Sequence, residues 1–421
     1  MAELFLNKGT TVYSILLFIF CSLQHFSQSL PFNQLTTSDG LSNNTVYNII
    51  QDKSGFLWFT TDDGLNRFDG YQFKVFRNDQ KDQNSISDNT TMAITEDYEG
   101  NIWIGTKNGI INCYDPVFNR FKKWDIKSTD EKDNPINVIH IDDNKYVWVG
   151  TYRSGLYRLN PETGEIKNWH NDPNDNNSLS NNYISAIVED EKNNLWIGTF
   201  YGLNKFNPEE SEKHFTRFFN SPDNTSSLSA NTIWAITSSC LENKILYIGT
   251  INGLTILNTE TEQLNSIAIS NPDNLMFGTG TGSVIEEIVN GERILWIYSY
   301  AGLLRYNLSR NTLDRFTANK ESQSGLLSNQ IYSIYKDNSG VLWIGTNNGI
   351  NFFSQKNIKF NNKLKYSKER FNTAPISKCD VKAIAKTQDG TIWFGTENGF
   401  YFTSGTVGKK TIKKHPSLAS D

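Results

Sequence analysis

Residues Asp337–Ile350 read DNSGVLWIGTNNGI. An Asp-x-x-Gly turn comes first, a short apolar run around Trp343 follows, and a second turn closes on Gly349. Turn residues on both sides of a short apolar run describe a β-strand held between two tight reversals. Gly349 suits its place because such turns commonly need positive φ. The same string recurs as LWFTTDDGL from Leu57, IWIGTKNGI from Ile102, VWVGTYRSGL from Val147 and LWIGTFYGL from Leu195. It continues as LYIGTINGL from Leu246, LWIYSYAGL from Leu295, LWIGTNNGI from Leu342 and IWFGTENGF from Ile392. The central aromatics (Trp58, Trp103, Trp148, Trp196, Tyr247, Trp296, Trp343 and Trp393) are separated by 45, 45, 48, 51, 49, 47 and 50 residues. Eight copies at that spacing make the chain a repeat protein.

Around each copy the sequence supplies three more strands. In the first unit an apolar run, Val46 to Ile50, precedes the turn Asp52-Lys53-Ser54-Gly55 and the Trp strand. Beyond Gly64 come Leu65 to Phe68 and then Phe73 to Phe76. Four short strands per unit, apolar in runs rather than strictly alternating, are sheets covered on both faces. That pattern predicts an all-β chain built as a β-propeller of four-stranded blades, with the Trp residues packed between blades. FNQLTTSDGL, from Phe32 to Leu41, matches the stretch before later units such as Phe218 to Leu228, so it reads as a fourth strand without a blade in front. A propeller closes when one terminus completes the blade begun by the other. The expectation is a seven-bladed propeller over residues 30–360, with residues 31–36 as the outermost strand of the Trp343 blade. Residues 361–403 then read as the first blade of an incomplete second propeller, and 404–421, with Lys409, Lys410, Lys413 and Lys414, as a disordered tail.

The 421 residues carry 40 Lys+Arg against 45 Asp+Glu, a net charge near −5, with 37% hydrophobic and 20% charged residues. That excludes a disordered chain and a dedicated nucleic-acid binder. Thr11 to Leu23 (TVYSILLFIFCSL) is apolar but shorter than the ~20 residues a membrane-spanning helix needs. With Lys8 before it and Ser27-Gln28-Ser29 after it, residues 1–29 read as a signal peptide with cleavage near Ser29, and the protein as periplasmic. No second apolar run of ~18 residues occurs, so no further membrane span is expected. Cys113, Cys240 and Cys379 are widely spaced, which argues for buried free thiols over a disulfide framework or a metal site.

With these repeats on the page, the chain resembles the two-component regulator propeller family, the periplasmic sensor regions of hybrid two-component systems in Bacteroidetes-type bacteria. The leader, the opening LPFNQLTTSDGLSNNTVYNIIQD (Leu30 to Asp52) and the repeated D-x-x-G-x-[LI]-W-[IF]-G-T-x-x-G-[LI] carry the resemblance, which covers residues 30 to about 403. The resemblance implies two consecutive seven-bladed propellers, then an immunoglobulin-like module, a membrane helix, a histidine kinase, a receiver and a DNA-binding domain. It also implies sensing of oligosaccharides from glycan breakdown. This chain stops at the eighth unit and shows no kinase, receiver or helix-turn-helix pattern. It therefore reads as a truncated gene or fragment, or as a sensor without its own output.

Catalytic grammar is missing. The Asp-x-x-Gly turns are one residue too long for sialidase Asp boxes, no G-x-S-x-G or Cys-His arrangement occurs, and His is scarce. Gly278 to Gly282 (GTGTG) lacks the Lys-Ser/Thr of a phosphate loop, and Asn171 to Asn177 (NDPNDNN) lacks the terminal Glu of a calcium loop. Neither an enzyme nor a cofactor is expected. Two function classes remain: a periplasmic ligand-sensing domain and a protein-interaction scaffold. The repeat varies most in the x-x-Gly turn, which shares a face with the loop leading into each first strand. Variation there spares the core. Tyr152, Arg153, Phe200, Tyr201 and Tyr300 thus crowd toward one mouth, with Asn252 and Asn348 beside them. Rings stack on sugar faces, while Arg and Asn bond hydroxyls or an acidic sugar. An oligosaccharide is the expected ligand, with Arg153 and Tyr201 its strongest contacts, and a homodimer or another sensor chain the expected partner.

Overall fold

The computed structural model describes residues 30–126, 134–211, 213–267, 284–299, 302–318, 325–354, 381–387, 391–396, 399–404 and 411–414. The leader, the glycine-rich loop at Gly278 and the site residue Tyr300 lie outside the described residues. The chain divides into two compact units, residues 1–353 and 354–421.

The first unit holds seven four-stranded antiparallel sheets. Blade one shows the pattern: Val46–Gln51, Leu57–Thr61, Gly64–Phe68 and Phe73–Phe76, each paired with the next. The first strands of blades two to six are Thr91–Glu96, Ile136–Ile141, Ile184–Glu189, Ile233–Ser238 and Val284–Val289. Blade seven uses Ile331–Lys336, Val341–Thr346 and Gly349–Ser354, and its fourth strand is Asn33–Leu35 from the other end of the unit. Asn33 pairs with Phe352 and Leu35 with Ile350, so the strand expected to close the ring does so. Each first strand touches the first strands of both neighbouring blades, from blade one round to blade seven and back. The ring is closed around an axis.

Apolar contacts between sheets form the core. Trp148 of blade three is fully buried among Leu179, Ile187, Leu195 and Phe206 of blade four, and Trp58, Trp103, Trp196, Trp296 and Trp343 occupy equivalent places. In blade six Glu287 accepts the Trp296 indole N–H at 2.7 Å; the other five rings are fixed by the Asp-led turn before the Trp strand. Its Asp accepts the indole N–H six residues on, at 2.7 Å for Asp52–Trp58, 2.9 Å for Asp97–Trp103 and 2.8 Å for Asp142–Trp148, Asp190–Trp196 and Asp337–Trp343. A buried indole needs such an acceptor.

Blade five departs from this rule, with Tyr247 in place of Trp and Ser239 in place of Asp. The acid comes from blade six. Buried Glu286 accepts from the Ser239 hydroxyl at 2.5 Å, the Tyr247 hydroxyl at 2.7 Å and the Arg293 guanidinium. Burial pushes the Glu286 carboxyl up, but the hydrogen bonds from Ser239, Tyr247 and Arg293 together hold it below the ordinary glutamate value. A depressed carboxyl stabilises the fold above its unfolded value, 4.5, and that stability is lost as pH falls through the folded value. Glu286→Gln leaves Arg293 without its buried partner and is expected to cost about 3 kcal/mol at neutral pH. Melting curves recorded between pH 6 and pH 3 check this: the gap between wild type and variant narrows below pH 4.5. A gap independent of pH contradicts it.

The second unit contains one four-stranded sheet of Val381–Lys386, Ile392–Thr396, Gly399–Ser404 and Thr411–Lys414. Trp393 stacks on Phe402 with ring centroids 5.2 Å apart. Thr411–Lys414 pairs with the third strand through Tyr401–Lys414 and Ser404–Thr411, which corrects the expectation of a disordered tail over those residues. A third strand with an open edge is satisfied by a fourth, and lysines suit a sheet edge.

Candidate functional site

The x-x-Gly turns and the loops leading into the first strands share one face, here called the upper face. Backbone hydrogen bonds tie them: Lys107 N–H to Thr90, Tyr152 to Pro135, Phe200 to Tyr183, Ile251 to Thr232 and Asn347 to Gln330, at 2.9–3.2 Å. The closing glycines reach to the next blade, as Gly155 does to Asn182 and Gly202 to Asn231. Gly202 has φ of 102°, and a Cβ there would sit 2.9 Å from the Phe218 carbonyl, so glycine is required. Below the turns of blades one, three, four, five and seven the Thr that ends the Trp strand accepts a turn N–H, as from Tyr201 at 3.0 Å and Asn348 at 3.0 Å. The turns are thus fixed in place while their side chains are left to vary.

Two of the residues singled out from the sequence meet two that were not. Phe200 stacks on Tyr183 at 3.5 Å and 13°, Tyr152 leans on Tyr183 at 4.4 Å, and Trp234 meets Phe200 edge-on at 4.6 Å. These four rings, from the adjacent blades three, four and five, form a line of successive ring contacts at the upper end of the axis. The Arg153 guanidinium lies 5.6 Å from the centre of the Tyr152 ring. Tyr201, 55% exposed, turns the other way and packs on Phe219 at 5.5 Å. Asn252 and Asn348 are exposed on the turns of blades five and seven, apart from the aromatic line, and the Asn348 amide reaches the Leu327 carbonyl at 3.4 Å.

The axial mouth holds a cavity of about 100 Å³ lined by Tyr47, Met92, Asn137, Tyr183, Ser185 and Trp234. Tyr47, Met92, Asn137, Ser185 and Trp234 are second residues of first strands, where the pairing with the Trp strand is bulged. A bulge re-aims the side chain out of the sheet, here toward the axis. Tyr47 donates its hydroxyl to Asp62 at 2.9 Å; burial first, then that carboxylate, holds the phenol well above its usual range. Asp63 beside it pairs with Arg77 at 2.9 Å. The sequence does signal Tyr47 and Trp234: each stands three residues after the Asn of a Ser-x-Asn loop, as in LSNNTVY and LSANTIW.

The Asp/Asn cluster at Asn171 to Asn177 is turn chemistry. Asp172 accepts the Asn174 N–H at 2.9 Å and Asp175 accepts the Asn177 N–H at 2.9 Å. No group of three or more His, Cys, Asp or Glu able to hold a metal occurs among the described residues.

The first unit is a closed seven-bladed β-propeller with a variable turn face. Residues 40–63, 85–108, 178–201, 325–348 and 375–398 match the sequence pattern of the two component regulator propeller, and the chain belongs to that family. A histidine kinase P4 of Formosa agariphila is 44% identical over 80 residues, 18% of this chain and 6% of that protein. The extracellular domain of a putative hybrid two component system from B. thetaiotaomicron superposes with a TM-score of 0.62 at 23% identity, over 91% of this chain and 54% of that one. The chain thus spans about half the length of that domain. A virginiamycin B lyase from Staphylococcus aureus shares the fold at a TM-score of 0.55 and 16% identity, over 76% of this chain and 97% of that one. A likeness of that degree transfers no activity. No helix among the described residues is long and apolar enough to cross a membrane.

Proposed function

We propose that the chain is the exported, periplasmic ligand-sensing propeller of a hybrid two-component system, and that it binds an oligosaccharide on its upper face. The observation that carries this reading is the line of Tyr152, Tyr183, Phe200 and Trp234 at the mouth, flanked by Arg153. An aromatic edge at the mouth, most exposed at Tyr152, suits the apolar face of a sugar, and the cation beside it suits hydroxyls or an acidic sugar. The axial cavity is smaller than the ~300–1,000 Å³ of small-molecule pockets, so the sugar lies over the mouth rather than within it. Two of the proteins named above, a histidine kinase and a hybrid two component system, are signalling proteins, which supports a sensor over a scaffold. A homodimer or a second sensor chain is its partner in signalling.

A thermal-shift screen against an oligosaccharide panel tests this. A ligand at about 100 times its Kd stabilises the native state by ~2.7 kcal/mol, a shift of several degrees. Arg153→Ala is expected to reduce that shift, and Tyr201→Ala, which removes a ring turned away from the line, to reduce it less. A panel that moves no midpoint contradicts the reading.

A further inference from the structure

Across the second and third strands, blades one, three, four and six pair the Trp with an Arg or Lys, and blades two, five and seven do not. In blade one Trp58 pairs with Arg67, whose guanidinium lies 4.3 Å from the Phe56 ring centre and 5.9 Å from that of Trp58. In blade three Trp148 pairs with Arg158, seated 4.5–5.7 Å from Tyr146, Trp148 and Trp169. Lys205 lies 5.8 Å from Trp196 and Arg305 5.9 Å from Trp296. Blade seven fills the same place with Phe352, stacked on Trp343 at 4.6 Å. Blade five borrows Arg293, which donates to the Tyr247 hydroxyl at 2.9 Å.

Blade two pairs Trp103 with Cys113. A cysteine reaches no further than its own strand, and beside it lies a cavity of about 400 Å³ between blades two and three. The cavity opens at the Asp-x-x-Gly end, away from the upper face. Trp103 and Trp124 stack along its wall at 5.2 Å. Asp97, Glu99, Asp115 and Glu162 face it, against Lys122 and Lys145, and Lys145 is tied to Glu99 at 3.0 Å. The Cys113 thiol stays neutral, its pKa pushed up to about 12 by burial and by nearby carboxylates. Aromatic faces in a negative surround attract an organic cation.

We propose that this cleft binds a small guanidinium- or amine-bearing molecule, seated over Trp103 and Trp124 where the sister blades seat their own Arg or Lys. The molecule supplies its own control, because Cys113→Arg places in blade two the residue that blades one and three carry. Agmatine is the probe, followed by calorimetry and by the fluorescence of the Trp103–Trp124 pair. Wild type is expected to bind with a Kd of about 1 mM or tighter. Cys113→Arg, with its melting midpoint kept, is expected to weaken agmatine at least about tenfold. Glu162→Gln, at the exposed rim, folds whatever becomes of the first variant and is expected to weaken agmatine by about 2- to 5-fold. A neutral analogue, N-butylacetamide, is expected not to compete. Absent binding by wild type, equal binding by a folded Cys113→Arg variant, an unchanged Kd in Glu162→Gln or full competition by the neutral analogue each overturns the proposal.

Discussion

Phe32→Ala is expected to lower the melting midpoint by roughly 5–10 °C, since removing a buried Phe costs about 3–5 kcal/mol. Phe32 is 5% exposed and meets Phe353 edge-on at 5.2 Å, with Trp296, Leu326 and Leu342 in the same cluster. That cluster joins blades six and seven, so the ring beside the closing strand anchors two blades at once. Deleting residues 31–36 should do more. It removes Phe32, the pairing of Asn33–Leu35 with blade seven and the Gln34 amide bond to the Gly325 carbonyl at 3.0 Å. It also leaves Gly349–Ser354 as an open sheet edge, a template for association. A melting curve unchanged by the deletion, measured with size-exclusion chromatography on the same sample, contradicts closure by this strand.

Gly150→Val is the second large effect. Gly150 lies in the Trp strand of blade three, and a Cβ there would come 2.5 Å from Ile184 Cγ2 and 2.6 Å from Val138 Cγ1. Ile184 opens the first strand of blade four, so the clash separates two blades rather than distorting one. Gly198 meets Ile233 and Gly345 meets Val46 in the same way. Overpacking a core costs about 1–3 kcal/mol and more where rigid backbone flanks it. Gly150→Ala is therefore expected to lower the midpoint by several degrees and Gly150→Val to impair soluble expression. A Val variant that melts with wild type would mean the blades stand further apart than described.

The blade count, the Trp packing and the closing strand were legible because repetition states the same instruction eight times. The glycine of the Trp-Ile-Gly-Thr string was legible as a letter but not as a reason. Its cause lies in the next blade, at Ile184 for Gly150, and spacing within one unit cannot show it. The site was half legible. Tyr152 and Phe200 stand in the variable turn, where sequence comparison among the repeats points directly. Trp234 stands second in a first strand, where an aromatic looks like core until the bulge turns it toward the axis, and Tyr183 stands in the loop one residue before its first strand. Tyr201 shows the converse, because its neighbour Phe219 lies in a segment that nothing in the turn foretells. Blade five explains itself only in three dimensions, where Glu286 replaces an Asp that Ser239 cannot supply.

The upper face is tested most directly by calorimetric titration of the chain with whichever oligosaccharide the thermal screen returns, run beside Tyr152→Ala. Tyr152 is 41% exposed at the end of the aromatic line, so its removal spares the core. Wild type should give saturable heat with one site per chain, and the variant should bind about 3- to 10-fold more weakly, the worth of one stacked ring. Equal affinity for the two proteins would place the sugar elsewhere and contradict recognition at this mouth.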